Sequence, residues 1–269
     1  MQSLTLTAVI LTIALNSISL AEWPNWRGPN MDGSSSAKNI PTKFSSKENI
    51  RWSQPMSGKA ASTPIISNGK VFITTTNEEK KELLAVAYDL KSGKELWKHV
   101  VGKGLNQDNR SNYAGASPVT DGKHVVFFFG TGDMAVISHE GKIQWEKNIQ
   151  EEYGKFYFLW TFSTSPIIFD GKIILQVLQR DTPVHPAQQG EGKKNSFLLA
   201  LSLDKGKEIY KTNRPDEAKA ESKEAFSTPV IYEIDGKSQL LVTGGDCITG
   251  HDPNSGKELW RWGTWNPTK

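Results

Sequence analysis

Short apolar runs alternate with polar, glycine-containing turns along most of the chain. In the clearest stretch, Ile65-Ile66 and Val71–Thr75 flank the dipeptide Asn68-Gly69, and Leu83–Tyr88 follows after a polar interval. An Asx-Gly pair between two apolar runs is the strongest short signal of a β-hairpin. The pattern therefore predicts a series of short antiparallel strands.

The runs belong to a unit that occurs four times. Each copy opens with Ser-x-Pro or a near variant and closes with Ala-x-Asp-x-x-x-Gly-Lys-x-x-Trp or a drifted form of it. The openings are Ser62-Thr63-Pro64, Ala116-Ser117-Pro118, Thr164-Ser165-Pro166 and Ser227-Thr228-Pro229. A period of roughly 40–50 residues with several short strands per copy is typical of propellers and related arrays. Each copy is predicted to form four antiparallel strands, which is one propeller blade.

The fold class predicted is therefore an all-β propeller with four visible blades, at about residues 60–100, 114–149, 162–212 and 225–262. Each predicted fourth strand carries an aromatic residue, and these residues are Trp97, Trp145, Tyr210 and Trp260. Aromatic rings bring the largest buried area of any side chain. We interpret the four aromatics as structural wedges between neighbouring blades.

The stretch 49–55 resembles one more fourth strand, with Trp52 as its aromatic, but no first three strands accompany it. We interpret it as the strand of a closing blade and the chain as a C-terminally truncated ring of seven or eight blades. Two half rings pairing into one ring, or an open or four-bladed arrangement, are the alternatives. An open arc predicts that Trp52 and Trp260 are more exposed than Trp97 and Trp145, and that Ile50–Pro55 is at an edge or unpaired.

Charge and cysteine content narrow the function classes. The formal net charge is +3, and charge of both signs is spread along the chain, so no basic stripe indicates a nucleic-acid surface. Cys247 is the single cysteine. A disulfide framework is therefore impossible, and one thiol cannot make a zinc site alone. No metal site and no catalytic residue are predicted.

Residues 1–21 have the pattern of an export signal. An apolar core at residues 4–15 is followed by Ser19-Leu20-Ala21, which fits a signal-peptidase site, although no Lys or Arg precedes the core. The apolar stretch is short for a membrane span. We expect a cleaved signal, with a retained anchor as the alternative, and a mature protein at 22–269 in the periplasm or cell exterior that does not span the membrane.

The repeats resemble those of the pyrroloquinoline-quinone-binding-like β-propeller proteins, with their tryptophan-docking motif. Ala87, Asp89, Gly93, Lys94 and Trp97 match all five motif positions, whereas the other copies drift. The head of the mature chain, Trp23–Gly33, is similar to the start of many exported bacterial members.

The resemblance implies two kinds of function. One is a quinoprotein dehydrogenase that holds pyrroloquinoline quinone and calcium at the ring centre. Members with alcohol substrates usually stack the quinone on a disulfide between adjacent cysteines, which a chain with only Cys247 lacks. The other is a scaffold similar to the propeller lipoprotein that assists outer-membrane assembly, although no cysteine for lipid attachment stands near the cleavage site.

One face of the predicted propeller carries the long, dissimilar connections, and function usually lies on loops held by a rigid scaffold. The residues proposed as a binding face there are Arg110, Asn112, Tyr113, Tyr153, Tyr157, Trp160, Arg180, Asp181 and His185. The loop Tyr153–Trp160 is the preferred contact surface, with the alternative that Phe156, Phe158 and Phe162 simply pack beneath it. The charged run Glu217–Glu224 is expected to be a solvated loop.

The preferred function is a non-catalytic exported propeller that binds a protein or a small molecule through this face, without a cofactor. The alternatives are a pyrroloquinoline-quinone-dependent oxidoreductase with calcium and a structural or assembly factor of the bacterial envelope. The identity of the partner stays open at this point.

Overall fold

The computed structural model describes residues 22–38, 40–105, 110–263 and 265. Within them, sixteen strands form four separate antiparallel sheets of four strands each, in sequential order. The predicted fold class of four-stranded antiparallel blades is confirmed. The predicted export signal at 1–21 lies outside the described residues.

Each blade contains four consecutive strands. The first consists of β1 (Ile65–Ser67), β2 (Lys70–Asn77), β3 (Glu82–Asp89) and β4 (Glu95–Lys103). The second consists of β5 (Val119–Thr120), β6 (His124–Phe128), β7 (Asp133–Ser138) and β8 (Ile143–Asn148), followed by a short helix α1 (Ile149–Tyr153). The third consists of β9 (Ile167–Phe169), β10 (Lys172–Val177), β11 (Phe197–Ser202) and β12 (Glu208–Asn213). The fourth consists of β13 (Val230–Ile234), β14 (Lys237–Gly244), β15 (Cys247–His251) and β16 (Glu258–Gly263).

The hairpin between β1 and β2 forms where the sequence predicts it. Asn68 and Gly69 have φ angles of 49° and 73°, so both central residues of the turn lie in the left-handed region. A two-residue turn of this kind matches the twist of the flanking strands and requires residues such as Asn and Gly. Asp170-Gly171 and Asp235-Gly236 make the same turn in the third and fourth blades.

The hydrophobic core lies between the blades. Separate clusters of buried side chains fill the junctions of blades one and two, two and three, and three and four. The middle strands are therefore buried on both faces, as in β3, whereas the outermost strand β4 is largely exposed. A fourth cluster, on the outer face of the first blade, is covered by Trp52.

Each fourth-strand aromatic lies opposite a small or β-branched residue of the third strand. Trp97 pairs with Ala87, and a register shift follows directly after that pair. The same shift follows the equivalent pairs in the third and fourth blades, and in the second blade it follows the pair of Trp145 with Val136, one residue after the motif position Ala135. In the fourth blade the partner is Gly250, where a Cβ atom would collide with the ring of Trp260. In the first, third and fourth blades the small motif residue thus leaves room for the ring.

The ring then docks on the next blade. Trp97 Nε1 donates to the His139 carbonyl oxygen at 3.0 Å. A Cβ atom on Gly141, whose φ is 88°, would lie 2.7 Å from the ring. The glycine is required both for its backbone conformation and for the close approach of the indole. Trp145 docks on Gly206 and the Leu203 carbonyl in the same way.

The docking contact is made by the third blade but not by the fourth. Tyr210 of the third blade docks on the fourth blade, where its hydroxyl donates to the Pro253 carbonyl at 3.3 Å. Trp260 instead bonds Gln239 within its own blade, and 37% of its surface is exposed. The expected exposure of Trp260 relative to Trp97 and Trp145, which are half-buried, is confirmed.

The stretch 50–56 contains no strand, so the interpretation of residues 49–55 as the strand of a closing blade is wrong, whereas the expectation that Ile50–Pro55 is at an edge or unpaired is confirmed. Trp52 nevertheless docks on the first blade, since its Nε1 donates to the Leu90 carbonyl at 2.9 Å and its ring lies against Gly93. Trp52 is half-buried, as Trp97 is. The expected greater exposure of Trp52 is therefore not observed. An aromatic can therefore dock through its side chain without a paired backbone.

The Ser-x-Pro openings connect the blades at their first strands. The Thr63 amide donates to Ser117 Oγ, and the Ser117 amide donates to Ser165 Oγ, both at 2.9 Å. The hydroxyl of one blade thus accepts from the backbone of the preceding blade. This contact gives the repeated hydroxyl residue a structural role.

The segment after residue 21 lies along the first strands. Trp23 pairs with Ile66 of β1 through two backbone hydrogen bonds of 2.8 and 3.0 Å. The Thr120 amide of β5 donates to the Pro24 carbonyl at 2.9 Å. Met31 packs against the cluster between the third and fourth blades. Because neighbouring blades approach each other at their first strands, as β5 and β9 do, this segment covers the inner edge of the array.

We predict that Trp145→Ala lowers the free energy of unfolding by about 3 kcal/mol, because it removes a docked ring from a blade junction. Trp260→Ala is the matched control and should cost less than about 1 kcal/mol, since its ring is not docked on a following blade. Denaturant unfolding followed by circular dichroism measures both values. Equal losses would contradict the docking role.

We predict that Ser117→Ala costs about 1–2 kcal/mol, because the part-buried Thr63 amide loses its acceptor. Ser53→Ala, at an exposed position, is the control and should leave the unfolding midpoint unchanged. An unchanged midpoint in Ser117→Ala would show that the blades do not depend on this contact.

Candidate functional site

The long connections lie together on one face, which we call the loop-rich face. In an antiparallel sheet the second-to-third and fourth-to-first connections leave at the same end. Here they include residues 110–118, 149–166, 178–196 and 214–229. Cavities of about 590, 370 and 570 Å³ are lined mainly by residues of these connections.

An arginine–tryptophan pair links two of the loops. The guanidinium carbon of Arg110 lies 4.4 Å from the ring centroid of Trp160. Trp160 Nε1 donates to Glu221 Oε1 at 3.1 Å, which ties a third loop to the pair. Arg110 is exposed and Trp160 is half-buried. The three residues define what we call the Arg110–Trp160 patch, in which a cation–π contact and a hydrogen bond orient the indole.

A buried carboxylate holds the loop beneath this patch. Glu224 Oε1 accepts from Arg180 Nε, and Glu224 Oε2 accepts from the Leu159 amide at 3.0 Å. Only 1% of the Glu224 side chain and 14% of the Arg180 side chain are exposed. Glu224 thus binds two separate loops and fixes the backbone next to Trp160.

His185 supports the same loop from the other side. Its Nε2 lies 2.9 Å from the Leu159 carbonyl oxygen, so the ring acts as the hydrogen-bond donor when this nitrogen carries the proton. The sequence singled out Trp160, Arg180 and His185 as contact residues. The structure brings them together, but Arg180 and His185 are engaged in positioning the loop.

Burial is the main cause of the shifted pKa values of Glu224, Cys247 and Arg214. It raises the pKa of the Glu224 carboxyl above its ordinary value, and the charge of Arg180 with the Leu159 amide offsets this only in part. Burial also raises the pKa of the Cys247 thiol and lowers that of Arg214.

The loop Tyr153–Trp160 is packed rather than open. Tyr157 is fully buried, and its hydroxyl donates to the Gly192 carbonyl at 3.0 Å, so it does not form part of the accessible surface. Phe156, Phe158 and Phe162 are also buried and lie in the core between the second and third blades. The alternative in which the phenylalanines pack beneath the loop is the one observed.

The remaining predicted residues lie outside the Arg110–Trp160 patch. Tyr153 packs against Phe197 with ring centroids 6.4 Å apart, and burial raises the pKa of its hydroxyl. Asn112 Oδ1 accepts from the Ala114 amide at 2.9 Å and so shapes its own turn. Tyr113 lines the 570 Å³ cavity, and Asp181 lines a smaller one.

The charged stretch 213–225 contains the residues that the sequence did not single out. Arg214 is fully buried and donates to the carbonyls of Gly244 and Cys247 and to Thr249 Oγ1. Together with the buried Glu224, it shows that the run Glu217–Glu224 and its flank are not simply a solvated loop. No sequence signal distinguishes a buried charge from a solvated one within such a run, because burial depends on the partner loop.

The described residues also bear on the chemistry of the site. Among them, no group of three or more His, Cys, Asp or Glu side chains is placed to bind a metal ion. The helices in the described part of the chain are too short and too polar to cross a bilayer. Cys247 is buried.

The fold defines a β-propeller array whose long loops lie on one face, and comparison with known proteins agrees with the propeller fold. A family model described as outer membrane protein assembly factor BamB matches residues 44–156. The crystal structure of BamB from Moraxella catarrhalis aligns with a TM-score of 0.52 at 12% identity, covering 81% of this chain and 58% of that one. Quinohemoprotein alcohol dehydrogenase ADHIIG from Pseudomonas putida HK5 aligns with a TM-score of 0.51 at 14% identity, covering 80% of this chain and 35% of that one.

The resemblance to the pyrroloquinoline-quinone-like β-propeller family is therefore confirmed, and the described chain has the propeller fold of these proteins. The chain spans little more than half the length of BamB and about a third of the dehydrogenase. No curated protein matches the chain. At such identities the solved structures show the fold alone.

We predict that Glu224→Gln changes the pH dependence of stability. A raised pKa in the folded state means that the stability contributed by this carboxyl is full below its ordinary value of 4.5 and is lost as pH rises through the folded pKa. The variant cannot ionise, so its free energy of unfolding should rise relative to wild type between pH 4 and pH 7.5. Urea unfolding at several pH values measures the difference, and a constant difference would contradict the prediction.

Proposed function

We propose that this protein is a non-catalytic, exported β-propeller that binds a protein partner through its loop-rich face, centred on the Arg110–Trp160 patch. The observation that carries the proposal is the stacking of Arg110 on Trp160 at 4.4 Å. Arginine and tryptophan are among the residues most enriched at the energetic centres of protein interfaces.

The supporting contacts make the patch rigid before any partner binds. Glu221 orients the indole, and the buried pair of Glu224 and Arg180 fixes the adjacent backbone. A surface that is already ordered loses less conformational entropy on association. The arrangement therefore favours recognition of a folded protein surface over a flexible, adaptable contact.

The comparisons support a protein partner and a location outside the cytoplasm. The matching family model is described as an outer-membrane protein assembly factor, and residues 1–21 have the pattern of an export signal. We therefore place the protein in the periplasm or at the cell exterior. A structural or assembly role in the envelope is the form of this proposal closest to the matched family.

The dehydrogenase alternative is not favoured by the residues of the site. A quinone with calcium needs a set of carboxylate and amide ligands at the inner edge, and Trp23 and Pro24 cover that edge at β1 and β5. Among the described residues, no three or more His, Cys, Asp or Glu side chains lie together as metal ligands, and Cys247 has no neighbouring cysteine. Reduction of a dye by alcohols or sugars that depends on added pyrroloquinoline quinone and calcium would overturn the binding proposal.

The direct test is affinity capture from envelope extract with wild type, Trp160→Ala and Arg110→Ala. We expect each substitution to reduce the recovery of a specific partner at least tenfold, the loss typical of an interface hot spot. Trp262→Ala is the matched control, because that tryptophan is 66% exposed on the fourth blade. It should capture the same partner as wild type.

Circular dichroism of every variant would confirm that it is folded. An unchanged partner list for Trp160→Ala and Arg110→Ala would exclude the Arg110–Trp160 patch as the contact surface. Retention with the insoluble wall or outer-membrane fraction in wild type, lost in the same two variants, would further support an envelope role.

A further inference from the structure

A series of buried polar side chains crosses the fourth blade. Arg214, Thr249 and His251 are each 0% exposed. Arg214 Nε donates to Thr249 Oγ1 at 3.2 Å, and Thr249 Oγ1 lies 2.8 Å from His251 Nε2. His251 Nδ1 in turn lies 2.9 Å from the carbonyl oxygen of Gly256. The series therefore runs from the connection between the third and fourth blades to the glycine turn on which Tyr210 docks.

These side chains lie at the junction of the third and fourth blades. Within the fourth blade, Thr249 is the cross-strand partner of Val242, and His251 is the partner of Leu240. Val242 and Leu240 belong to the hydrophobic core between the two blades. Directly opposite residues of neighbouring strands share one face of a sheet. A change in the charge of His251 therefore acts on the contact between the fourth blade and the third.

The hydrogen bonds are satisfied by a neutral His251 ring. A carbonyl oxygen only accepts, so Nδ1 carries the ring proton and donates to Gly256. The Thr249 hydroxyl accepts from Arg214, and its single proton is then available for His251 Nε2. A proton on Nε2 would leave the Thr249 hydroxyl with the Val242 carbonyl as acceptor, at the long distance of 3.4 Å.

The charges around His251 disfavour a further cation. Arg214 is buried, and Arg261 of β16 adds a second positive charge. Glu258 of β16 opposes them, but both of its oxygens accept from Arg261, at 2.8 and 2.6 Å. Asp252 follows His251 in the chain, and its Oδ1 accepts from two amides of its own turn. Burial is the main cause of the lowered pKa of His251, and the charges of Arg214 and Arg261 add to it.

The third blade supplies no charge that could stabilise a protonated ring through the docking turn. Its titratable group there is the Tyr210 hydroxyl, which donates to the Pro253 carbonyl at 3.3 Å. Burial raises the pKa of Tyr210, so the hydroxyl stays neutral. From β14, the face towards this junction carries the apolar residues Leu240 and Val242.

We propose that protonation of His251 opens the junction of the third and fourth blades, which makes the contact between these blades sensitive to acid. A protein outside the cytoplasm is exposed to the pH of its surroundings, where histidine is the side chain suited to sense a mild acid shift. The connection 214–229 joins the two blades and carries Glu221 and Glu224, which hold Trp160 and Leu159. Opening would therefore also loosen the Arg110–Trp160 patch. Only this last consequence rests on the proposed function.

The lowered pKa fixes the direction of the effect. The stability contributed by neutral His251 is full above its ordinary pKa of 6.5 and is lost as pH falls from there through the folded pKa. If the ring stays neutral down to pH 5, this histidine alone raises the unfolding equilibrium constant about 30-fold between pH 7.5 and pH 5.

Urea unfolding of the full chain at pH 7.5 and pH 5 compares wild type with His251→Asn. The asparagine amide can donate to Gly256 in place of Nδ1, but it does not titrate. We expect the rise of the unfolding constant on acidification to be at least tenfold smaller in His251→Asn. His124→Asn, at a half-buried histidine of the second blade, is the matched control and should change the rise less than threefold. The buried His139 is present in all three proteins, so its own contribution cancels.

Hydrogen exchange then locates the opening. After correction for the pH dependence of chemical exchange, amides of β14 and β15 should lose at least tenfold protection at pH 5 in wild type. The same amides should keep their protection in His251→Asn. Strands β6 and β7 of the second blade are the reference in each sample and should be equally protected in the two proteins. Equal losses in β14 and β15 of both proteins would overturn the inference.

A titration of wild type keeps the test decisive if His251→Asn does not fold. NMR signals of the His251 ring, assigned through its contact with Thr249, should stay those of the neutral form until β14 and β15 lose protection. Titration near pH 6.5 with these strands still protected would contradict the proposal.

The outcome can be separated from that of the proposed function, because the opening is measured without a partner. If the junction does not respond to His251 but partner capture depends on Trp160, only the acid-sensitive junction is excluded. If the junction opens as expected but Trp160→Ala captures the same partners as wild type, the Arg110–Trp160 patch is excluded and the junction remains.

Discussion

An aromatic ring on each of the first three blades, docked on a glycine turn of the next blade, is the contact on which the rest of the structure depends. Trp97 illustrates its two components, a hydrogen bond from the indole to the His139 carbonyl and van der Waals contact with Gly141. Only a residue without a Cβ atom allows the ring so close, and the left-handed conformation of Gly141 is one that glycine adopts readily. Because the apolar core lies between blades rather than within them, each sheet is stable only when its neighbour is held in place.

The loop-rich face uses that scaffold to hold buried charge. Removing Glu224 and Arg180 from water costs several kcal/mol per ion, which their mutual attraction only partly offsets. Such a pair is a poor source of net stability, but breaking it would leave a buried charge without its partner. Here the pair fixes the loop carrying Trp160 and the backbone around Leu159. The buried pair therefore contributes order to a surface whose aromatic and cationic groups are otherwise typical of protein interfaces.

The repeat could be recognised in the sequence because the turns and the docking aromatics require particular residue types at fixed positions. The strand pattern and hairpins such as Asn68-Gly69 are found where predicted. In the stretch around Trp52, the same sequence pattern does not correspond to a strand. Its residues repeat the pattern of a fourth strand, but a strand also needs a partner, and the indole docks on Gly93 from an irregular backbone. A motif thus specified a side-chain contact and not the secondary structure that usually accompanies it.

The sequence by itself determined the fold class, the number of visible blades and the face that carries the long loops, since these depend on local turn chemistry and on a repeated pattern. Only the tertiary structure decided which loop residues are accessible. Tyr157 is buried although it lies in an aromatic loop, and Glu224 is buried although it lies in a charged run. Burial of a loop side chain depends on contacts with loops distant in sequence, as the stacking of Arg110 on Trp160 shows. Such contacts have no period and no local signature, so they are decided only when the blades bring the loops together.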